Sequence, residues 1–211
     1  MACMKLKHLE QQLQQVDAFD ALKVHLEQYT TPPHIAACIL HSVQSQYGDI
    51  EGKMVADLGC GAGVLSVGAA ILGSGYCVGF DIDADALDVY RRNLDDFEIG
   101  NYDAVQCDVT AGIPDRFHSC FDTVVTNPPF GTRQKGADVR FVTAGLQLAS
   151  TALYSLHKTS TRAHIVSLAR NMPGVSVKVV AELRYNLPAT YKFHKNDSVD
   201  IRVDLVRFSY D

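Results

Sequence analysis

The 211-residue chain carries 19 Lys and Arg against 24 Asp and Glu, a net charge of −5, with 47% apolar and 20% charged residues. This is the composition of an ordinary globular chain with one full-sized core, and it excludes a protein that grips nucleic acid by charge alone, since such proteins are usually basic. No apolar run approaches the ~20 residues needed to cross a bilayer, so no membrane role is expected.

The opening Met1-Ala2-Cys3-Met4-Lys5-Leu6-Lys7 lacks the apolar stretch of a secretory signal. The six cysteines form no Cys-x-x-Cys pair, and the eight histidines are scattered. Free thiols in a reducing compartment, nucleus and cytoplasm, are expected, with no metal site.

Leu6, Leu9, Leu13 and Val16 recur at helical spacing and predict an amphipathic helix over 4–16. A turn-rich stretch, Glu27-Gln28-Tyr29-Thr30-Thr31-Pro32-Pro33, precedes a second helix that starts near Pro33 and runs to about Tyr47. From Met54 the pattern alternates. Met54 to Leu58 reads as a short buried strand, and Val64 to Leu72 as a helix covered nearly all round. Tyr76 to Asp81 is the second strand, followed by a helix to about Phe97 capped by Asp83. Ala104 to Cys107 and residues 121–126 are strands three and four.

A helix over 138–150 and a strand over Ala152 to Leu156 follow. Ser160 or Thr161 can cap a further helix to about Asn171, and Val175 to Val180 and Val199 to Phe208 read as the last strands. Seven strands alternating with helices predict a doubly wound, mostly parallel α/β sheet. The last two strands lack a helix between them, so one of them is antiparallel. The expected organisation is one domain over 1–211, with residues 1–50 a helical segment packed on a core of 51–211.

Strand four ends in Asn127-Pro128-Pro129-Phe130. Each proline fixes φ and removes an N–H, and each pushes the residue before it to an extended conformation. The turn therefore holds an amide, carbonyl oxygens and a flat ring in one place, which suits a planar group bearing an NH2. A plain strand-ending turn is the alternative.

Asp57-Leu58-Gly59-Cys60-Gly61-Ala62-Gly63 follows strand one and opens a helix, as a nucleotide loop does. Three details point to S-adenosylmethionine rather than a dinucleotide. Val64 stands where the dinucleotide fingerprint wants glycine. Asp57 repels a pyrophosphate and attracts a sulfonium and an amino group. Asp81 can accept from ribose hydroxyls, and Asp108, ending strand three, from the adenine amino group.

The order of Asp57-x-Gly59-x-Gly61-x-Gly63, Asp81, Asp108 and Asn127-Pro128-Pro129-Phe130 resembles the class I amino methyltransferases. Glu27 to Thr31 with His34-Ile35-Ala36 is similar to the segment that precedes the cofactor loop in many adenine-N6 enzymes. Gly79-Phe80-Asp81-Ile82-Asp83, Tyr154 to Lys158 and Tyr191 to Lys195 narrow the resemblance, over nearly the whole chain, to a eukaryotic methyltransferase-like family that methylates N6 of one adenosine in small-subunit (18S) ribosomal RNA.

The resemblance implies a Rossmann-like core. It places Gln28 and Thr31 at the methionine end of the cofactor, Gly59, Ala62 and Val64 along the loop, Asp81 at the ribose, and Asp108 and Val109 at the adenine. Ala62 departs from the pattern, which has cysteine there. The resemblance also implies a partner, a small zinc-containing activator protein that adds a strand beside strand three. Ala104-Val105-Gln106-Cys107 has neither the lysines nor the prolines that blunt an edge, although cover by the chain's own loops is the alternative.

In the expected mechanism the Asn127 side-chain oxygen and the Pro128 carbonyl each accept a hydrogen bond from one N6–H, and Phe130 stacks on an unstacked base. Lys192, Phe193 and His194 interleave charge and rings as candidate substrate contacts, with a packed hairpin turn as the alternative. Lys158, Arg133, Lys135, Arg140 and Lys195 are weaker candidates for the RNA backbone. A protein glutamine N5-methyltransferase shares the Asn-Pro-Pro-aromatic loop and is the rival enzyme. A catalytically silent scaffold for the activator is the rival of another class.

Overall fold

The computed structural model describes residues 4–130, 136–188 and 198–210. Its central strands β1 (Met54–Leu58), β2 (Tyr76–Asp81) and β4 (Phe121–Thr126) are five or six residues long and almost wholly buried. Near-continuous apolar runs are what such doubly covered strands require. At the far side β6 (Val175–Pro188) and β7 (Ser198–Tyr210) form a long antiparallel pair.

The sheet has seven strands in the order β3-β2-β1-β4-β5-β7-β6, with β3 at Tyr102–Gln106 and β5 at Ala149–Lys158. The first five run parallel, and β7 lies antiparallel to both β5 and β6. The expected mostly parallel sheet with a reversed strand at the end is therefore what forms, and β3 is an edge. Chain order reverses between β1 and β4, the position where open α/β sheets bind ligands.

Helices α1 (Leu6–Leu13), α2 (Pro33–Tyr47), α3 (Val64–Ile71) and α4 (Ala84–Asp96) build the core on one face. Helices α5 (Ala137–Leu148) and α6 (Arg162–Arg170) cover the other. The caps follow the chain's own chemistry. Pro33 opens α2, and Gly48 closes it in the left-handed conformation at φ 67°. Asp83 caps α4 by accepting from the Asp85 N–H.

Several boundaries differ from expectation. Helix α5 stops at Leu148 because Ala149 already pairs with Phe121, and Ser150 Oγ donates to the Phe121 carbonyl at 3.1 Å. That pairing starts β5 three residues early. Strand β3 begins at Tyr102, where Cys77 offers a partner, and ends before Cys107. Thr161 does stand at the N-cap of α6, but its hydroxyl donates back to the Lys158 carbonyl rather than capping the helix. The candidate contacts Arg133, Lys135, Lys192, Phe193, His194 and Lys195 lie outside the described residues. No helix among the described residues is long and apolar enough to cross a membrane.

Two buried polar clusters lock the sheet to its covers. Tyr154 donates to Asp49 Oδ2 at 2.6 Å and accepts from Arg207 Nε at 2.9 Å, which joins the end of α2 to β5 and β7. The fully buried Asp204 of β7 accepts two hydrogen bonds from Arg162 at the start of α6, at 2.6 and 2.7 Å. Such two-pronged charge-assisted contacts fix orientation as well as adding energy.

His157 on β5 is 1% exposed, and its Nε2 has no hydrogen-bond partner. Burial pushes its pKa from 6.5 down to about 4, against the opposing pull of Asp138 and Asp204. The unfolded chain takes up this proton first, so the neutral ring's contribution is complete above about pH 6.5 and is lost as pH falls through about 4. Asp57, pushed up to about 7 by burial, acts in the opposite direction over much of the same window. The informative quantity is therefore a difference between two proteins. On going from about pH 7.5 to about pH 5, the wild type should lose roughly 1–2 kcal/mol relative to His157→Leu in urea unfolding. Parallel pH profiles would contradict a buried neutral imidazole.

Candidate active site

The cavity at the reversal point is assembled by backbone geometry that only glycine tolerates. Gly61 sits at φ 52°, where a Cβ would come within 2.7 Å of the Phe19 ring. Gly63 sits at φ 90° at the start of α3, where a Cβ would meet Tyr90 at 2.8 Å. The loop is held down by Gly59 and Cys60, whose N–H groups both donate to the Phe80 carbonyl of β2. Thr126 at the end of β4 donates to the Leu58 carbonyl at 2.7 Å. That bond sets Asn127 directly beside the glycine loop.

A third wall comes from the segment between α1 and α2. It is clamped to α4 by polar contacts at both ends. Asn93 accepts from the Asp17 N–H at 2.9 Å and donates to the carbonyls of Asp17 and Ala62 at 3.0 and 2.7 Å. Lys23 Nζ donates to Asp83 and Asp85 at 2.6 and 2.7 Å, and Gln28 Nε2 donates to Asp83 at 2.7 Å. Burial opposes charge on Asp83, but Lys23, Gln28 and the Asp85 N–H together hold its carboxyl below the usual range.

The cavity brings together Gln28, Thr31, Gly59, Ala62, Val64, Asp81, Asp108, Val109, Asn127 and Pro129 from the sequence-predicted set. Asp81 accepts from the Gly61 and Asp83 N–H groups, both at 2.9 Å, which fixes its carboxylate at the rim of β2. Asp108 Oδ1 accepts from the N–H and hydroxyl of Thr110. Glu27, with φ 53° and largely buried, also lines the cavity, as does Phe141 beneath Gly59. Three acids and no Lys or Arg line it among the described residues.

Asp57 takes a different position from the one its spacing suggests. It is 1% exposed and lies behind the loop rather than on the cavity wall. Ser66 of α3 donates to its Oδ2 at 2.8 Å, while Oδ1 is buried without a partner. Burial chiefly, with help from the Asp81 charge, raises its carboxyl to about 7 against the Ser66 hydrogen bond.

Next to this cavity is an aromatic box. Asn127 Nδ2 donates to Thr31 Oγ1 at 2.9 Å and lies 3.3 Å from the Tyr185 hydroxyl. Both amide hydrogens are directed that way, so Oδ1 faces the Tyr29 side of the box. The Tyr29 hydroxyl lies 3.3 Å from that oxygen and donates to the Pro128 carbonyl at 2.7 Å. The Tyr29 and Phe130 rings are stacked, 5.5 Å apart and 12° from parallel. Tyr185 stands edge-on to both. Lys158 Nζ lies 5.5 Å from the Phe130 ring centre.

Thr31 thus orients the Asn127 amide, a role the resemblance did not assign to it. The amide of Gln28 is engaged with Asp83 and with the Lys23 N–H. Tyr185, Ser66 and Phe19 were not singled out from the sequence, and Glu27 and Tyr29 were marked only as parts of the Glu27 to Thr31 segment. Tyr185 sits in the β6 run with no local signal, and only strand register carries it to Asn127. Tyr29 did lie in a segment already marked, and a tyrosine next to Gln28 and Thr31 was the available clue.

The family model for the methyltransferase small domain matches residues 36–158. The chain is 56% identical to rRNA N(6)-adenosine-methyltransferase METTL5 of Danio rerio over 98% of this chain and 99% of that one. It is 53% identical to the Drosophila melanogaster protein Mettl5 over 99% and 98%. The solved structure of PH1948 from Pyrococcus horikoshii superposes with a TM-score of 0.85 at 35% identity, covering 98% of each chain. Architecture, site and full-length similarity agree, and the chain belongs to the methyltransferase small-domain family and, within it, to the METTL5 group.

Proposed function

We propose that the chain transfers the methyl group of S-adenosylmethionine to N6 of one adenosine in small-subunit (18S) ribosomal RNA, as the catalytic subunit of a heterodimer with a small zinc-binding activator. The observation that carries the chemistry is the convergence of Asn127 Oδ1 and the Pro128 carbonyl on one donor, at 3.3 and 2.7 Å, beside a flat ring. Two acceptors side by side match the two hydrogens of an exocyclic amine. The names of the Danio rerio and Drosophila melanogaster relatives support ribosomal RNA as the acceptor.

The cavity fits a cationic donor better than a dinucleotide. Among the described residues, Glu27, Asp81 and Asp108 line it without a lysine or arginine to offset a pyrophosphate. Behind the loop, Asp57 Oδ1 is a buried carboxylate oxygen with no protein partner. Gly59, Ala62 and Val64 would flank the donor, Asp81 its ribose, and Asp108 and Val109 its adenine. The donor supplies an electrophilic methyl group on a sulfonium.

The nitrogen lone pair of an adenine amine is delocalised into the ring. Asn127 Oδ1 and the Pro128 carbonyl would hold both N6–H bonds to one side and draw the nitrogen out of the plane. Thr31 and Tyr185 keep the amide from turning its NH2 inward. Phe130 offers a stacking face, and positioning replaces a strong base, because the proton leaves only after charge develops on N6. The rings of Phe130 and Tyr185, set at 84° to one another, favour a flat base over the slender amide of a glutamine. The unblunted β3 edge and the net charge of −5 support a working complex with the activator rather than unaided RNA capture.

Asn127→Ala should leave donor binding measurable by calorimetry and reduce methyl transfer to RNA about 100-fold or more, the scale seen when one preorganised transition-state contact is removed. Undiminished transfer would sink the mechanism. Donor affinity should be highest above about pH 7, where Asp57 is ionised, and weaken by up to about tenfold per unit below it. Asp57→Asn should flatten that profile. Co-expression with the zinc-binding activator should yield an equimolar active complex, whereas full activity from the lone chain would refute the partner.

A further inference from the structure

We propose that Tyr29 occupies the acceptor-base pocket as an internal substitute for the target amine, and that it sets specificity by yielding only to a base that replaces its contacts. The inference deepens the functional reading above and rests on it for the identity of the acceptor. Three independent contacts coincide. The phenol donates to the Pro128 carbonyl at 2.7 Å and stands 3.3 Å from Asn127 Oδ1. Its ring lies nearly parallel to Phe130, 5.5 Å away. Its ring stands perpendicular to that of Tyr185, at 6.1 Å and 89°. A donor between the two acceptors and a flat ring on Phe130 are the two things an adenine would bring. Both cannot occupy the same space.

The chemistry makes this occupant both effective and replaceable. Burial above all raises the phenol well above its ordinary pKa, so it keeps its proton and remains a donor at neutral pH. But a phenol has one hydrogen for two oxygens, and the 2.7 and 3.3 Å distances show which oxygen receives it. An amine has two hydrogens and satisfies both acceptors at once. A base with a carbonyl at that position would displace the phenol only by setting oxygen against oxygen and leaving both acceptors unpaired. Tyr29 thus turns entry into an exchange that an amine wins and a carbonyl loses.

The placement of Tyr29 suits such an exchange. It lies in the irregular stretch between Leu26 and Pro33, outside any helix or strand. Its neighbours are anchored: Gln28 to Asp83, Thr31 to Asn127. The side chain can therefore leave the pocket without dismantling the clamp that shapes the cofactor cavity.

Tyr29→Phe keeps the ring but removes the competing hydrogen bond. The KM for RNA should fall about fivefold, the worth of one neutral hydrogen bond. A residue that merely braced the Asn127 loop would instead lower kcat with KM unchanged or raised, and that result would overturn the proposal. A second measurement needs neither the variant's activity nor turnover. The wild-type chain, with ring-13C tyrosine and its cofactor site filled by S-adenosylhomocysteine, is titrated with adenosine and with inosine. Adenosine should move the Tyr29 resonance and inosine should not. Adenosine that shifts Tyr185 while Tyr29 stays in place, or equal displacement by inosine, would overturn it. Absence of methyl transfer by the wild type would count against the functional reading and appears in a different assay from the displacement.

Discussion

The side-chain amide of Asn127 is the point on which the site depends. Left to itself an asparagine amide can present either its oxygen or its NH2 to a ligand, and only one of these is useful to an amine. Thr31 from the segment before α2 and Tyr185 from β6 accept from the NH2 side, which leaves Oδ1 facing the Tyr29 hydroxyl. Thr126, bonded to the Leu58 carbonyl, sets the whole loop against the end of β1. Residues far apart in sequence thus converge on one rotamer.

Electrostatics divide the site into two halves. Around the glycine loop the described residues concentrate acid and include no Lys or Arg on the cavity wall: Asp57 is buried behind the loop, and Glu27, Asp81 and Asp108 line the cavity. In the adjoining box the polar groups are neutral donors and acceptors among rings, with Lys158 near Phe130. The positive end of a donor belongs with the first environment and a flat neutral acceptor with the second. The boundary is the short stretch Glu27 to Thr31, which contributes to both walls and is itself pinned to α4 through Asp83. That pinning couples the N-terminal part of the chain to the core.

The architecture was largely legible because the local signals are strong. Buried runs bounded by glycine and proline located β1, β2 and β4, and the absence of a helix between the last strands foretold the reversed β7. Boundaries failed where pairing overrode propensity, as at Ala149, which joins Phe121 although the preceding pattern is helical. Among site residues, those on the strand ends were readable because a parallel sheet brings successive C-terminal ends together whatever the intervening helices do. Asp57 was read from its spacing as a carboxylate that attracts the cofactor's positive groups; it is buried and does not line the cavity.

By itself the sequence determined the sheet class, the glycine loop, the carboxylates at the strand ends and the stiff Asn127-Pro128-Pro129-Phe130 turn, because each is written in a few adjacent residues with a local physical reason. Only the tertiary structure decided which way the Asn127 amide faces, that Asp57 does not line the cavity, and that Tyr29 and Tyr185 complete the box. The amide's direction and the box depend on side chains separated by 58 to 98 positions meeting across the sheet, and no local pattern encodes a meeting of that kind.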